Sequence, residues 1–100
     1  MIKDYIMTEI QKQFIQFLEN LVGSRTTLEK LEKKISNYLE ENITIEDVSR
    51  DDNEISDYNA IFESQNDETY GYFDIYFLKM RRPGFDGANI YITEIGYEYE

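Results

Sequence analysis

Neither histidine nor cysteine occurs among the 100 residues, so the side chains left for chemistry are carboxylates, phenols, hydroxyls and a few bases. Losing imidazole removes the commonest general base and metal ligand. Losing the thiol removes disulfides, thiolate nucleophiles and thiolate zinc sites. Arg81 and Arg82 precede Gly84 and Gly87, but no Gly-x-x-x-x-Gly-Lys pattern is present and no helix start follows to aim amides at a phosphate. That run reads as a hairpin turn. Asp51, Asp52, Asn53, Glu54 and Asp57 crowd oxygen ligands together. Laid on a helix-loop-helix calcium loop from Asp51, however, the pattern fails at Ile55, at Ser56 where glycine is needed, and at Phe62 where the bidentate glutamate belongs. Carboxylate pairs of the kind used in glycoside hydrolysis occur throughout a chain with 21 acids, and for that reason mark no site. Ser24, Thr26, Thr27 and Lys79 have no neighbouring group to activate them. The expectation is a protein that is not an enzyme and uses no cofactor and no metal.

What remains is acid and aromatic together. Ten bases against 21 acids give a net charge of −11, which argues against binding nucleic acid directly and against a polybasic membrane-surface protein. The excess is unevenly placed. Residues 1–41 hold six bases and seven acids, whereas 42–100 hold four bases and fourteen acids. Within 42–78 Arg50 alone opposes Glu46, Asp47, Asp51, Asp52, Glu54, Asp57, Glu63, Asp67, Glu68 and Asp74. Seven of the nine tyrosines (Tyr58, Tyr70, Tyr72, Tyr76, Tyr91, Tyr97 and Tyr99) lie in the same acidic half. Such an asymmetry points to a specialised surface.

The elements that must position these residues follow from periodicity. Ile2, Ile6, Ile10, Phe14, Phe17, Leu18 and Leu21 share one helical face, with Gly23 as a left-handed cap. Thr26 and Glu29 form a capping-box pattern ahead of Leu28, Leu31, Ile35, Tyr38 and Leu39, and Asn42 stops that second helix. The short connection from Gly23 to Arg25 predicts an antiparallel helix pair. From Ile43 the period becomes two. Strands are expected at Ile43 and Ile45, at Tyr58 to Phe62, at Tyr72 to Leu78 and from Ile90; after Glu94 the apolar parity shifts to Ile95, which marks a bulge or a strand packed on both faces. The predicted fold is a single α+β domain over 1–100. Its 1–42 half supplies two N-terminal helices packed as an antiparallel pair on one face of a four-stranded antiparallel sheet, the acidic β-meander of 43–100.

On that fold Phe73, Ile75 and Phe77 face the helices while Tyr72, Asp74 and Tyr76 line the opposite face. Tyrosine is amphipathic and loses little rotamer freedom on binding, so Tyr among carboxylates is good material for a protein interface; the same residues also serve as ordinary cross-strand pairs. The expected partner-binding residues are Asp51, Asp52, Glu54, Asp57, Asp67, Glu68, Tyr70, Tyr72, Asp74 and Tyr76. The expected partner is a protein with a basic, nucleic-acid-binding surface, such as a nuclease, met by an inhibitor that imitates nucleic acid in the anti-CRISPR or anti-restriction manner. An immunity protein that neutralises a toxin is one alternative, and an assembly subunit forming a homo-oligomer through the Ile90 to Tyr99 edge is another. The oligomeric state is left open between monomer and dimer. No stretch approaches the ~20 apolar residues of a membrane span and Lys3 and Asp4 do not open a signal peptide, so the expected location is cytoplasmic.

Overall fold

Thr8 and Gln11 start the first helix by capping each other. The Thr8 hydroxyl accepts from the Gln11 amide at 3.2 Å, and the Gln11 side chain accepts from the Thr8 amide at 2.8 Å. This computed structural model describes residues 8–52, 56–66 and 68–98, with α1 at Glu9–Glu19. Phe14, Ile15 and Leu18 form its buried stripe, and Ile10, expected among them, is exposed. Ile2 and Ile6 lie outside the described residues. Gly23 does adopt positive φ, but beyond a helix already closed at Asn20. Its N–H donates to the Ile92 carbonyl at 2.8 Å, turning the chain onto the sheet.

Strand β1 (Arg25–Thr26) follows, then α2 (Leu28–Leu39), whose cap is Thr27 and not the expected Thr26: the Thr27 hydroxyl accepts from the Lys30 amide at 3.0 Å. Leu31, Ile35 and Leu39 are buried as expected. The helix ends at Glu40, which sits in the left-handed region at φ 53, two residues before the expected stop at Asn42.

The remaining strands are β2 (Glu46–Asp47), β3 (Arg50–Asp51), β4 (Ser56–Asp57), β5 (Asn59–Ser64), β6 (Gly71–Lys79) and β7 (Ile90–Glu98). They form a curled, five-stranded antiparallel sheet in the order β1-β7-β6-β5-β2, and a separate two-stranded arm of β3 and β4. The expected four-stranded sheet is therefore wrong by one strand. Arg25 and Thr26 pair with Tyr91 and Ile90, and two residues are too few to show a period. The expected antiparallel helix pair is also corrected. The connection between the helices is built into the sheet as β1, and α1 and α2 meet where Tyr38 stacks on Phe17 (centroids 4.1 Å apart) and Phe14 (5.6 Å). At Ile43 and Ile45 the amides are taken by α2 side chains, Ser36 Oγ at 3.1 Å and Glu32 Oε2 at 2.8 Å, so regular pairing begins only at Glu46. Of the two readings of the parity shift the bulge holds, just ahead of Glu94: Tyr76 pairs with Glu94 and Phe77 with Ile92, leaving Thr93 as the extra residue.

The core lies between the helices and one sheet face. Phe14 meets Phe73 edge-on at 5.1 Å and Phe62 at 6.4 Å, while Phe62 and Phe73 stack on each other at 4.9 Å. Among the described residues no helix is long and apolar enough to cross a membrane. Two substitutions report on this construction in urea denaturation. Phe14→Ala should cost about 3–5 kcal/mol, since Phe14 is fully buried among aromatic partners. Glu40→Gly should stabilise by about 0.5–1 kcal/mol, because a left-handed residue without Cβ relieves steric cost.

Candidate functional site

Because α1 and α2 cover one face of the sheet, alternation along each strand leaves the other face to solvent. On β6, Phe73, Ile75 and Phe77 are buried while Tyr72 and Tyr76 are exposed and Asp74 is half-buried. The register then shows which residues share the open face. Glu46, Ile61, Asp74 and Gly96 form one cross-strand row; Glu63, Tyr72 and Glu98 form a second; Asn59, Tyr76 and Glu94 form a third. Five carboxylates and two tyrosines thus occupy three adjacent rows with no base among them.

None of the carboxylates of Glu46, Glu63, Asp74, Glu94 and Glu98 has a hydrogen-bond or ion-pair partner among the described residues, where the one ion pair joins Arg50 and Asp52. Their field is felt locally. The Tyr76 phenol is pushed above its usual value first by the charge of Asp74, then by desolvation and by Glu94. The Tyr76 ring and Asp74 lie over Gly96, where a Cβ would meet both at 3.5 Å, an ordinary contact distance. Beside these rows a cleft of about 460 Å³ opens between residues 41–46 and strands β5 and β6. Its walls include Glu46, Ile61, Phe62, Glu63, Tyr72 and Asp74, giving it an apolar floor and an acidic rim. Glu41 anchors the near end, accepting from Ser64 Oγ at 3.2 Å and from the amides of Gln65 at 2.7 Å and Asn66 at 3.2 Å.

The ten residues singled out from sequence do not form one patch. Tyr72, Asp74 and Tyr76 lie together on the open face. Tyr70 extends it past the end of the sheet, its ring edge-on to Tyr72 at 6.5 Å, and Glu68 sits exposed in the adjoining turn, its amide held by Asn66 Oδ1 at 2.9 Å. Asp51, Asp52 and Asp57 belong instead to the β3–β4 arm. There Asp51 accepts from the Tyr58 hydroxyl at 2.8 Å and Asp52 pairs with Arg50 at 3.2 Å, so part of that acidic run neutralises itself. Glu54 and Asp67 lie outside the described residues.

Glu46, Glu63, Glu94 and Glu98 were missed as face residues. Strand parity carried the signal for Glu63, next to buried Phe62, and the bulge supplied it for Glu94 and Glu98. No three carboxylates among the described residues are grouped to hold a metal ion. Set against protein-family models, curated proteins and solved structures, the chain matches none.

The field on this face is directly measurable. Asp74→Asn should lower the Tyr76 phenol toward the ordinary value near 10, read by NMR titration of ring-labelled tyrosine with Tyr76→Phe as the assignment control. Because folding raises this phenol, wild-type stability should decline as pH climbs above about 10, and Asp74→Asn should soften that decline.

Proposed function

We propose that this is a small cytoplasmic, non-enzymatic protein that binds and inhibits a partner by covering its basic, nucleic-acid-binding surface with the open face of the sheet. One observation carries the proposal: on the face left bare by both helices, three adjacent cross-strand rows bear five carboxylates without a side-chain partner and the exposed Tyr72 and Tyr76, a base (Arg25) entering only in the next row beside Leu78 and Tyr91. A sheet spaces same-face residues about 6.6 Å apart along a strand and about 4.8 Å between strands. Duplex DNA offers one charge per about 1.7 Å of axis, so the imitation is coarse and charge alone gives limited affinity. Tyr72 and Tyr76 supply the remainder, as desolvated anchors that slow release while the carboxylates speed encounter. The self-paired acids of the arm add to the long-range field more than to contact.

Affinity capture from host lysate tests this, with wild type and a Glu63→Lys/Asp74→Lys/Glu94→Lys variant run in parallel. Wild type should retain a nucleic-acid-binding protein that is released by raised salt and by competing nucleic acid. The triple variant should lose at least about 100-fold in affinity while remaining folded, because relieving like-charge repulsion does not harm the fold. A partner that stays bound alongside its nucleic acid, or one indifferent to the triple reversal, would overturn the proposal.

A further inference from the structure

The connection between β6 and β7 presents the opposite chemistry to the open face. Phe85 is fully exposed there, and Arg81 and Arg82 on its approach are exposed as well, with no ion pair among the described residues. The loop is braced. Gly84 N–H donates to the Ala88 carbonyl at 2.8 Å, and Gly87 N–H to the Gly84 carbonyl at 2.9 Å. The Asp86 carboxylate accepts from the Ala88 amide at 3.1 Å, and Lys30 of α2 donates to the Asp86 carbonyl at 2.6 Å. A braced loop that already holds an aromatic ring in water loses little conformational freedom when the ring docks.

A fully exposed phenylalanine three residues past a pair of arginines suits a recess lined by apolar side chains and carboxylates, and this chain carries such a recess. The cleft beside the open face offers Ile61 and Phe62 as floor, Tyr72 as an aromatic wall, and the carboxylates of Glu46, Glu63 and Asp74 as rim. Arg–carboxylate pairing and stacking on an aromatic face are the contacts guanidinium makes best. Loop and cleft lie toward opposite ends of β6, so one copy cannot join its own pair. Nucleic acid is a poor match for the loop, since the net charge is −11 and the acidic β3–β4 arm projects from the same end of the sheet.

We infer that this protein self-associates head to tail, the Phe85 loop of one copy entering the cleft of the next. The contact is heterologous and leaves a free loop and a free cleft at the ends, so it repeats into short chains or a ring. At 0.15 M salt the Debye length is about 8 Å, which screens the overall repulsion between acidic bodies while sparing contacts of a few ångströms. Self-association goes beyond the inhibitory role but draws on Glu63, Tyr72 and Asp74 of the same open face, so a bound partner and a second copy would exclude each other.

Sedimentation equilibrium of the purified full chain from about 10 µM to 1 mM at 0.15 M salt is the test. Wild type should rise above the 12.0 kDa monomer mass with concentration. A loop variant (Phe85→Ser, or Arg81→Glu/Arg82→Glu) and a cleft variant (Glu63→Lys/Asp74→Lys) should each stay monomeric, with unchanged circular dichroism. Mixed together, the two variants should give a one-to-one complex and nothing larger, since each retains one working surface. Wild type that remains monomeric throughout, variants that associate like wild type, or a mixture that fails to pair would overturn the inference. No binding partner enters these measurements, so their failure leaves the inhibitory reading untouched, and failure of that reading leaves them standing.

Discussion

The ring of Phe14 against Phe62 and Phe73 is the contact on which the molecule turns. It fixes α1 to the centre of the sheet, and Tyr38 stacked on Phe14 and Phe17 brings α2 to the same side. Both helices are thereby committed to one face, and a sheet covered on one side must present the alternate residues of every strand to water. A hydrophilic open face is thus a requirement of the fold. An almost exclusively acidic one, with tyrosines between the acids, is not. Like-charge neighbours across strands are destabilising, and nothing in the core compensates Glu46, Glu63, Asp74, Glu94 and Glu98 for standing together. A surface that costs stability and is dispensable to the fold is where a binding function is best sought.

The electrostatics are more structured than a net charge implies. Acidic residues of the arm are partly satisfied by Tyr58 and Arg50, and Glu41 is occupied in holding the turn at Gln65 and Asn66. Lys79 sits over the Tyr58 ring at 4.8 Å, and its charge, after the Ser49 hydrogen bonds, helps hold the Asp47 carboxyl below its usual value. Carboxylates are therefore hydrogen-bonded or ion-paired at the arm and in the turn, and left bare on the open face. Arg81, Arg82 and Phe85 stand exposed at the β6–β7 connection, beyond the end of β6 that lies away from the cleft.

Much of this was legible in the sequence where elements are long enough to repeat. Phe73, Ile75 and Phe77 alternate with Tyr72, Asp74 and Tyr76 over nine residues of β6, and the parity shift after Glu94 marked the bulge within about one residue. Short elements were not legible. Strand β1 has two residues, and Ile43 and Ile45 look like strand residues although α2 side chains capture their amides. The site was half legible for a related reason. Charge density along the chain marks Asp51, Asp52 and Asp57, which the fold sends to an arm, whereas the face is assembled across strands from Glu46, Glu63, Glu94 and Glu98, scattered over more than fifty residues. Only register reveals that grouping.

That the open sheet face is the working surface is tested most directly by NMR of the isotopically labelled protein titrated with the partner captured from its host. The expected result is that shifts and broadening concentrate at Ile61, Glu63, Tyr72, Asp74, Tyr76 and Glu94, with the outer face of α2 at Lys33 and Asn37 undisturbed. Perturbation centred on α2, with the Tyr72 and Tyr76 ring signals unmoved, would contradict it.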